Sequence, residues 1–363
     1  MAISKNLKKV LGVGGTAVLL VGALTACGTS SSGGNSSGNS SNSTGGTSSS
    51  GSKSNIVIAL SNSYIGNSWR TQMVKAFTDA ATQAKSEGLI KNFTVVNADN
   101  TASQQISQIN DLILKHVSAI CIDAASTTAL NGVIQKATQA GIPVFSFDSV
   151  VTEPSAYKIN YDYYGVGVNE AQYVVKRLNG KGNVLLDRGV AGTSVDNDWY
   201  KGWMDVFKKY PGIKVVGQVY GNWTETTSQS QVAQLLPSLP KVDAVLGEGG
   251  EAYGAEKAFQ AAGRPTPILI GGNRGYFVHW WYQENKKNGY QTVSESSAPS
   301  VGAAAFWMAL NELQGKKVPK SVTMPTVVVT SKDLPKLQSM KDTDVVSPTY
   351  TNSWVQQNLL TQK

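Results

Sequence analysis

The chain has 363 residues, 41% hydrophobic and 15% charged, which suits one or two globular bodies with apolar cores. Its formal net charge is +8; with Lys5, Lys8 and Lys9 of the terminal segment set aside, +5 remains, and no Lys/Arg cluster is interleaved with aromatics. That pattern excludes a nucleic-acid surface inferred from charge, and two cysteines with two histidines support neither a disulfide framework nor a metal site.

Residues 1–26 read as a secretion signal: a basic start, an apolar stretch from Val10 to Ala23, then Leu24-Thr25-Ala26 before Cys27. The apolar stretch is short for a membrane span. Small residues before a cysteine resemble the lipobox of bacterial lipoproteins, which implies that Cys27 becomes a lipidated N-terminus. Residues 27–54 are almost entirely Ser, Gly, Asn and Thr. Such a segment cannot bury enough apolar surface to offset chain entropy, and it reads as a flexible tether. The body is then expected on the extracytoplasmic face of the membrane, held there by acyl chains.

The body begins with a buried strand at Ile56 to Leu60, a polar loop, and a helix from about Trp69 with Met73, Ala76, Phe77, Ala80 and Ala84 on one face. Strands follow at Phe93 to Val96, Ala119 to Ile122 and Val144 to Phe147, each separated by a helical pattern. Four strands alternating with helices predict a parallel sheet covered on both faces. After Tyr157 the alternation starts again. Strands are expected at Asn183 to Leu186, Val215 to Val219, Ala244 to Leu246, Ile268 to Ile270 and around Thr292. A helix from Val301 to Leu313 and a strand at Val327 to Val329 close the body. The fold class is α/β, with two doubly wound lobes.

In open parallel sheets, ligands bind beyond the carboxyl ends of the strands. Asn67, Trp69 and Arg70 sit at such an end and offer an amide, a stacking face and a fixed cation. Asp99, Asp123, Asp148 and Asn273 fall at other strand ends, where a carboxylate can accept two hydroxyl hydrogen bonds. Such residues also begin loops and cap helices without any ligand. Trp223 lies in a polar loop after a strand, whereas Trp203, Trp280, Trp281 and Trp307 have helical spacing and read as structural. Gly247-Glu248-Gly249-Gly250-Glu251-Ala252 matches a dinucleotide fingerprint. It is not in the first turn of the body, and the next strand ends in Gly271-Gly272-Asn273 rather than a ribose-binding acid. A tight glycine turn is the better account, and no cofactor is expected. No nucleophile or metal motif occurs in the body, so an enzyme is not expected. Cys121, inside an apolar strand, reads as a small hydrophobe.

Asn67-Ser68-Trp69, the stretch Gly141 to Asp148 and the loop Gly189 to Ser194 resemble the ribose-type periplasmic substrate-binding proteins of bacterial ABC importers. The resemblance runs from about Ile56 to Val329. It implies two Rossmann-like lobes around a hinge and a cleft, with crossings near Asn160, Ser296 and Pro325. The lobes would comprise 55–160 plus 297–325 and 161–296 plus 326–360. It also implies sugar contacts from Asn67, Trp69, Arg70, Asp123, Asp148, Asn197, Trp223, Gly249, Asn273 and Glu295. Arg70 stands in place of an aromatic, Ser149 in place of an arginine, and Gly249 in place of an asparagine, so a copied ribose pocket is not implied. The expected partners are a small sugar or polyol and ABC permease subunits, with the protein a monomer. The alternatives are a ligand-binding sensor feeding a chemoreceptor or kinase, and a binder of a non-sugar polar solute.

Overall fold

A computed structural model describes residues 54–362. Cys27, the signal segment and nearly all of the tether lie outside the described residues. In chain order come β1 (Val57–Asn62), α1 (Ser68–Ser86), β2 (Asn92–Asn97), α2 (Ala102–Leu114), β3 (Ala119–Asp123), α3 (Asn131–Gln139), β4 (Val144–Phe147) and β5 (Tyr157–Asn160). Next are α4 (Tyr163–Arg177), β6 (Gly182–Arg188), α5 (Ser194–Phe207), β7 (Ile213–Tyr220), α6 (Glu225–Leu235), β8 (Ala244–Gly247), α7 (Ala252–Ala261) and β9 (Ile268–Ile270). The chain ends with α8 (Gly275–Asn288), β10 (Ser294–Ser296), α9 (Val301–Leu313), β11 (Ser321–Thr323), β12 (Val327–Val329) and α10 (Asn352–Asn358). Among the described residues no helix is long and apolar enough to cross a membrane.

The first sheet runs β11-β5-β4-β3-β1-β2, all parallel, and the second runs β7-β6-β8-β9, also all parallel. A short antiparallel pair, β10 with β12, lies apart from both. Alternate residues of each strand feed opposite faces. On the first sheet, Leu60, Cys121 and Phe145 pack with Met73 and Phe77 of α1 and with Phe306 of α9. Ala59, Ile120 and Val144 face the other way, onto Ile109 and Leu112 of α2 and Ile134 of α3. On the second sheet, Leu186 and Leu246 pack towards Trp199 and Trp203 of α5, while Leu185, Val245 and Leu269 pack towards α6, α7 and α8. Cys121 is fully buried in this apolar layer.

Several elements went unread in the sequence. α4 carries Gly165, Gly167 and four valines, a composition with low helix propensity. The structure uses Gly167 for contact: a Cβ there would overlap the Trp199 carbonyl, and one at Gly202 would overlap that of Tyr164. The two helices can pack this closely only because both positions lack a side chain. β5 and β11 are four and three residues long, too short to show a period. The expected strand around Thr292 forms slightly later, as β10.

One expected boundary is corrected. The resemblance implies residues 326–360 in the second lobe; Leu334, Leu337 and Val346 pack there, whereas α10 packs on α9 of the first. Asn352 accepts from Asn311, Val355 and Leu359 are buried against the first-lobe core, and Gln362 bonds Thr323 of β11. The amphipathic face of α10 is covered there, and helix burial decides the lobe.

Candidate functional site

The β1–α1 loop builds the first wall. Asn67 caps α1, its Oδ1 accepting the Arg70 amide at 2.8 Å, while its Nδ2 donates to the Tyr64 hydroxyl at 3.0 Å. Capping fixes the first turn, which carries Trp69 and Arg70. The indole of Trp69 donates to the Ser297 carbonyl at 3.4 Å. Arg70 is only 2% exposed; its guanidinium pairs with Asp123, donates to Asn62 Oδ1 at 3.0 Å, and lies over the rings of Tyr64 and Trp69.

Asp123, at the end of β3, is fully buried. Burial pushes its carboxyl up to about 7, against the pull of the Arg70 guanidinium. Asp123 pairs with Arg70 and is not part of the cleft lining, which its neighbours Arg70 and Asp148 form. Asp148 follows β4 in a left-handed backbone conformation, φ 56°, that few non-glycine residues adopt. Its carboxyl accepts from the Tyr163 hydroxyl, burial pushes its pKa up, and Arg70 opposes that shift.

The second lobe supplies the opposite wall. Asn222 and Trp223 are both left-handed, at φ 54° and 55°. The Trp223 indole donates to Glu248 Oε2 at 3.0 Å, and Arg274 Nη2 donates to the Trp223 carbonyl at 2.9 Å. Gly189 lies beneath: any Cβ there would overlap both the indole nitrogen and Glu248. Behind Glu248, Asp196 receives a two-point bond from Arg188, at 2.9 and 2.6 Å. Asn273 is 2% exposed and its Nδ2 has no partner among the described residues.

These walls enclose a cleft of about 430 Å³, part of it open to solvent. Of the residues expected from the sequence, Asn67, Trp69, Arg70, Asp148, Trp223, Gly249 and Asn273 line it. Contacts across the lobes close it. The Val150 amide donates to Ser194 Oγ at 3.0 Å, and Gln72 of α1 bonds Thr343 and Val345, a segment bridged to Arg274.

Three expected positions fall outside the cleft lining. Asp123 lies under Arg70. Asn197 is exposed, because the inward face of α5 is formed by Val195, Asp196 and Trp199. Glu295 sits on the outward side of β10, where it accepts from Asn169 and Thr326, while its neighbours Ser294 and Ser296 are buried. Asp99 accepts from the Thr101 amide and hydroxyl, so it serves a turn before α2.

The sequence reading missed Tyr163, Val195, Trp199, Glu248, Gly250, Arg274, Ser296 and Ser297, all of which line the cleft. Strand alternation at β10 would have favoured Ser296 over Glu295. Arg274, directly after Asn273, could have been found by extending the strand-end rule by one residue.

The chemistry of the site follows from its pairings. Arg70 is committed to Asp123 and Asn62, and Arg274 to the Trp223 carbonyl and Tyr276. Asp148 and Asn273 are left to accept and donate, beside the aromatic faces of Trp69, Trp199 and Trp223. Charge-assisted acceptors with flat apolar faces suit a neutral, hydroxylated molecule. Among the described residues no group of three or more His, Cys, Asp and Glu is placed to hold a metal ion.

Two parallel-sheet lobes closing on such a cleft define a type I periplasmic binding protein. Over residues 58–317 the chain matches the family described as periplasmic binding protein domain, and it belongs to that family. The family consists of ligand-binding proteins rather than enzymes, working outside the cytoplasm. A solved ABC transporter solute binding protein from Thermobispora bispora has a TM-score of 0.80 at 36% identity, covering 84% of this chain and 94% of that one. The xylitol-binding protein of Mycolicibacterium smegmatis is 30% identical over 178 residues, 48% of this chain and 51% of that protein. The D-apiose import binding protein of Actinobacillus succinogenes is 28% identical over 201 residues, 54% of this chain and 64% of that protein. The chain thus spans about half to two-thirds of the length of these curated relatives.

Proposed function

We propose that this chain is the solute-binding component of an ABC importer, which captures a sugar or sugar-like polyol between its lobes and delivers it to a permease. The observation that supports this reading most strongly is the placement of Asp148 and Asn273 beside three tryptophans: a carboxylate acceptor and an unpartnered amide donor stand against flat apolar faces, the pairing that a hydroxylated ring or chain needs. Arg70 is neutralised by Asp123, which leaves Arg274, held by the Trp223 carbonyl and Tyr276, as a further donor to hydroxyl oxygens. The relatives bind xylitol and D-apiose, both small and hydroxylated. Closure around such a ligand presents a joint surface to the permease, a population shift rather than chemistry. A lipid on Cys27 anchors the protein to the outer face of the cytoplasmic membrane, where it works as a monomer.

The test is thermal shift and tryptophan fluorescence of the full chain against xylitol, D-apiose, other pentoses, hexoses and charged sugar acids. A ligand that binds only the folded state raises the melting temperature by mass action. Saturable binding of a neutral member, recovered unchanged, supports the reading. Preference for a charged acid, or turnover of the bound compound, overturns it. Metabolic labelling with an alkyne fatty acid tests the anchor: label should enter the wild type and be absent from Cys27→Ala.

A further inference from the structure

The Gly247–Ala252 loop is explained by neither a dinucleotide nor the turn alone, since it carries two buried acids, of which Glu248 lines the cleft and Glu251 lies behind it. Glu248 is 3% exposed and Glu251 fully buried, yet among the described residues no cation pairs directly with Glu248. One Glu248 oxygen takes the Trp223 indole, and the carboxyl also lies against that of Asp196. Both Asp196 oxygens are held by Arg188, whose guanidinium lies over Tyr200 and Tyr220, 4.0 and 5.0 Å from the ring centroids. Two carboxyls in contact cannot both ionise in a buried site, and Glu248, which has no arginine against it, is the one placed to hold the proton. Burial and the neighbouring Asp196 and Glu251 push Glu248 well above the usual carboxylate range.

We propose that Glu248 is the positioning residue for Trp223: as a neutral carboxylic acid it donates to Asp196 and accepts the indole N–H, so Arg188, Asp196 and Glu248 fix the aromatic wall on which a hydroxylated ligand stacks. This deepens the sugar or polyol reading of the cleft and rests on it. The backbone agrees. Trp223 is left-handed, its carbonyl is held by Arg274, and Gly189 beneath leaves no room for another side chain. The groups facing Glu248 are Asp196 from α5, Arg188 from β6, Glu251 at the start of α7, and Trp223 itself. A glutamine can replace the acid, because its carbonyl accepts the indole and its amide donates to Asp196. A leucine can do neither.

The test uses the full chain with ¹⁵N-labelled indoles, the Trp223 Nε1–H resonance being assigned by loss in Trp223→Phe. In the ligand-free state, Glu248→Gln should keep the resonance and its slow exchange, and Glu248→Leu should shift it and speed exchange about tenfold or more. Titration calorimetry with xylitol and D-apiose should show Glu248→Gln within about threefold of wild type and Glu248→Leu weaker by about tenfold or more. Identical indole exchange in all three proteins, or equal damage from Gln and Leu, overturns the proposal. Should Glu248→Leu not fold, the alkaline pH profile of the indole resonance decides: wild type should show a transition that Glu248→Gln lacks, the Glu251 step at about 8 remaining in both, and matching profiles count against it. The indole readout needs no ligand, so failure of both polyhydroxylated probes to bind counts against the sugar reading and leaves the positioning result to stand or fall alone.

Discussion

The hydroxyl of Tyr163 donates to the Asp148 carboxyl while its ring stacks on Trp199, with centroids 5.3 Å apart and planes at 25°. Asp148 follows β4 of the first sheet and Trp199 lies on α5, which packs on the second, and Tyr163 begins α4, the first helix after β5. One side chain therefore touches both walls at the hinge end of the cleft. Trp199 in turn donates to Glu170 at 2.7 Å, and Trp203 donates to the same oxygen at 3.0 Å. The wall behind the ligand is fixed from two directions.

Replacing Tyr163 by Phe keeps the stack and removes the donor. A hydrogen bond to a charged group contributes about 1.5–3 kcal/mol. Ligand affinity measured by calorimetry should therefore fall by about tenfold or more. An unchanged affinity would show that Asp148 needs no orientation by Tyr163.

Arg70 stands between two buried carboxyls, so its removal strands charge. Arg70→Met should destabilise the chain by about 3–5 kcal/mol in urea denaturation, because Asp123 is left buried without its partner. The double variant Arg70→Met with Asp123→Leu should recover part of that loss. If the double variant is less stable than Arg70→Met alone, the pair is not acting as a unit.

Two further buried acids give the second lobe a pH signature. Burial pushes Asp187 up to about 7 and Glu251 up to about 8, with Ser228 donating to Asp187. Both folded values lie above those of the unfolded chain, so the folded chain holds more protons between about pH 4 and 8. The stability contributed by that uptake is present in acid and lost as pH rises through about 7 and 8. Melting temperature should fall between about pH 5.5 and 8.5, and the double variant Asp187→Asn with Glu251→Gln should flatten the slope. A melting temperature that climbs over this interval contradicts the assignment.

The architecture was legible because strands and helices alternate with clear periods, and Asp148, Trp223 and Asn273 stand at strand ends where parallel sheets bind. Other parts were hidden for identifiable reasons. Glu295 is implied by the family resemblance, but adjacent strand residues point oppositely and the pleat of β10 turns Ser296 inward instead. Asn197 is likewise implied by position in the resemblance, whereas the helical phase of α5 turns Val195, Asp196 and Trp199 inward and leaves Asn197 exposed. Asp123 was placed on the ligand because a sequence does not show that Arg70 covers it. Tyr163 lay in a helix masked by glycine and valine, whose low propensity is overridden by packing against α5.

Gly189→Ala offers a minimal perturbation of the Trp223 wall. The added methyl overlaps the indole nitrogen and Glu248, so the ring must move. Affinity should drop by about tenfold or more while far-ultraviolet circular dichroism stays that of the wild type. Wild-type affinity in this variant would mean that Trp223 does not form the ligand surface.

The most direct measurement is titration calorimetry of the full chain with xylitol and D-apiose, in wild type and in Asp148→Ala and Trp223→Ala. The account predicts saturable binding of at least one of them at one site per chain, salt-insensitive as expected for a neutral ligand, and lost or severely weakened in both variants. Binding that survives both substitutions would contradict the cleft as its site. Absence of binding by either compound and by every other neutral sugar or polyol would contradict the account itself.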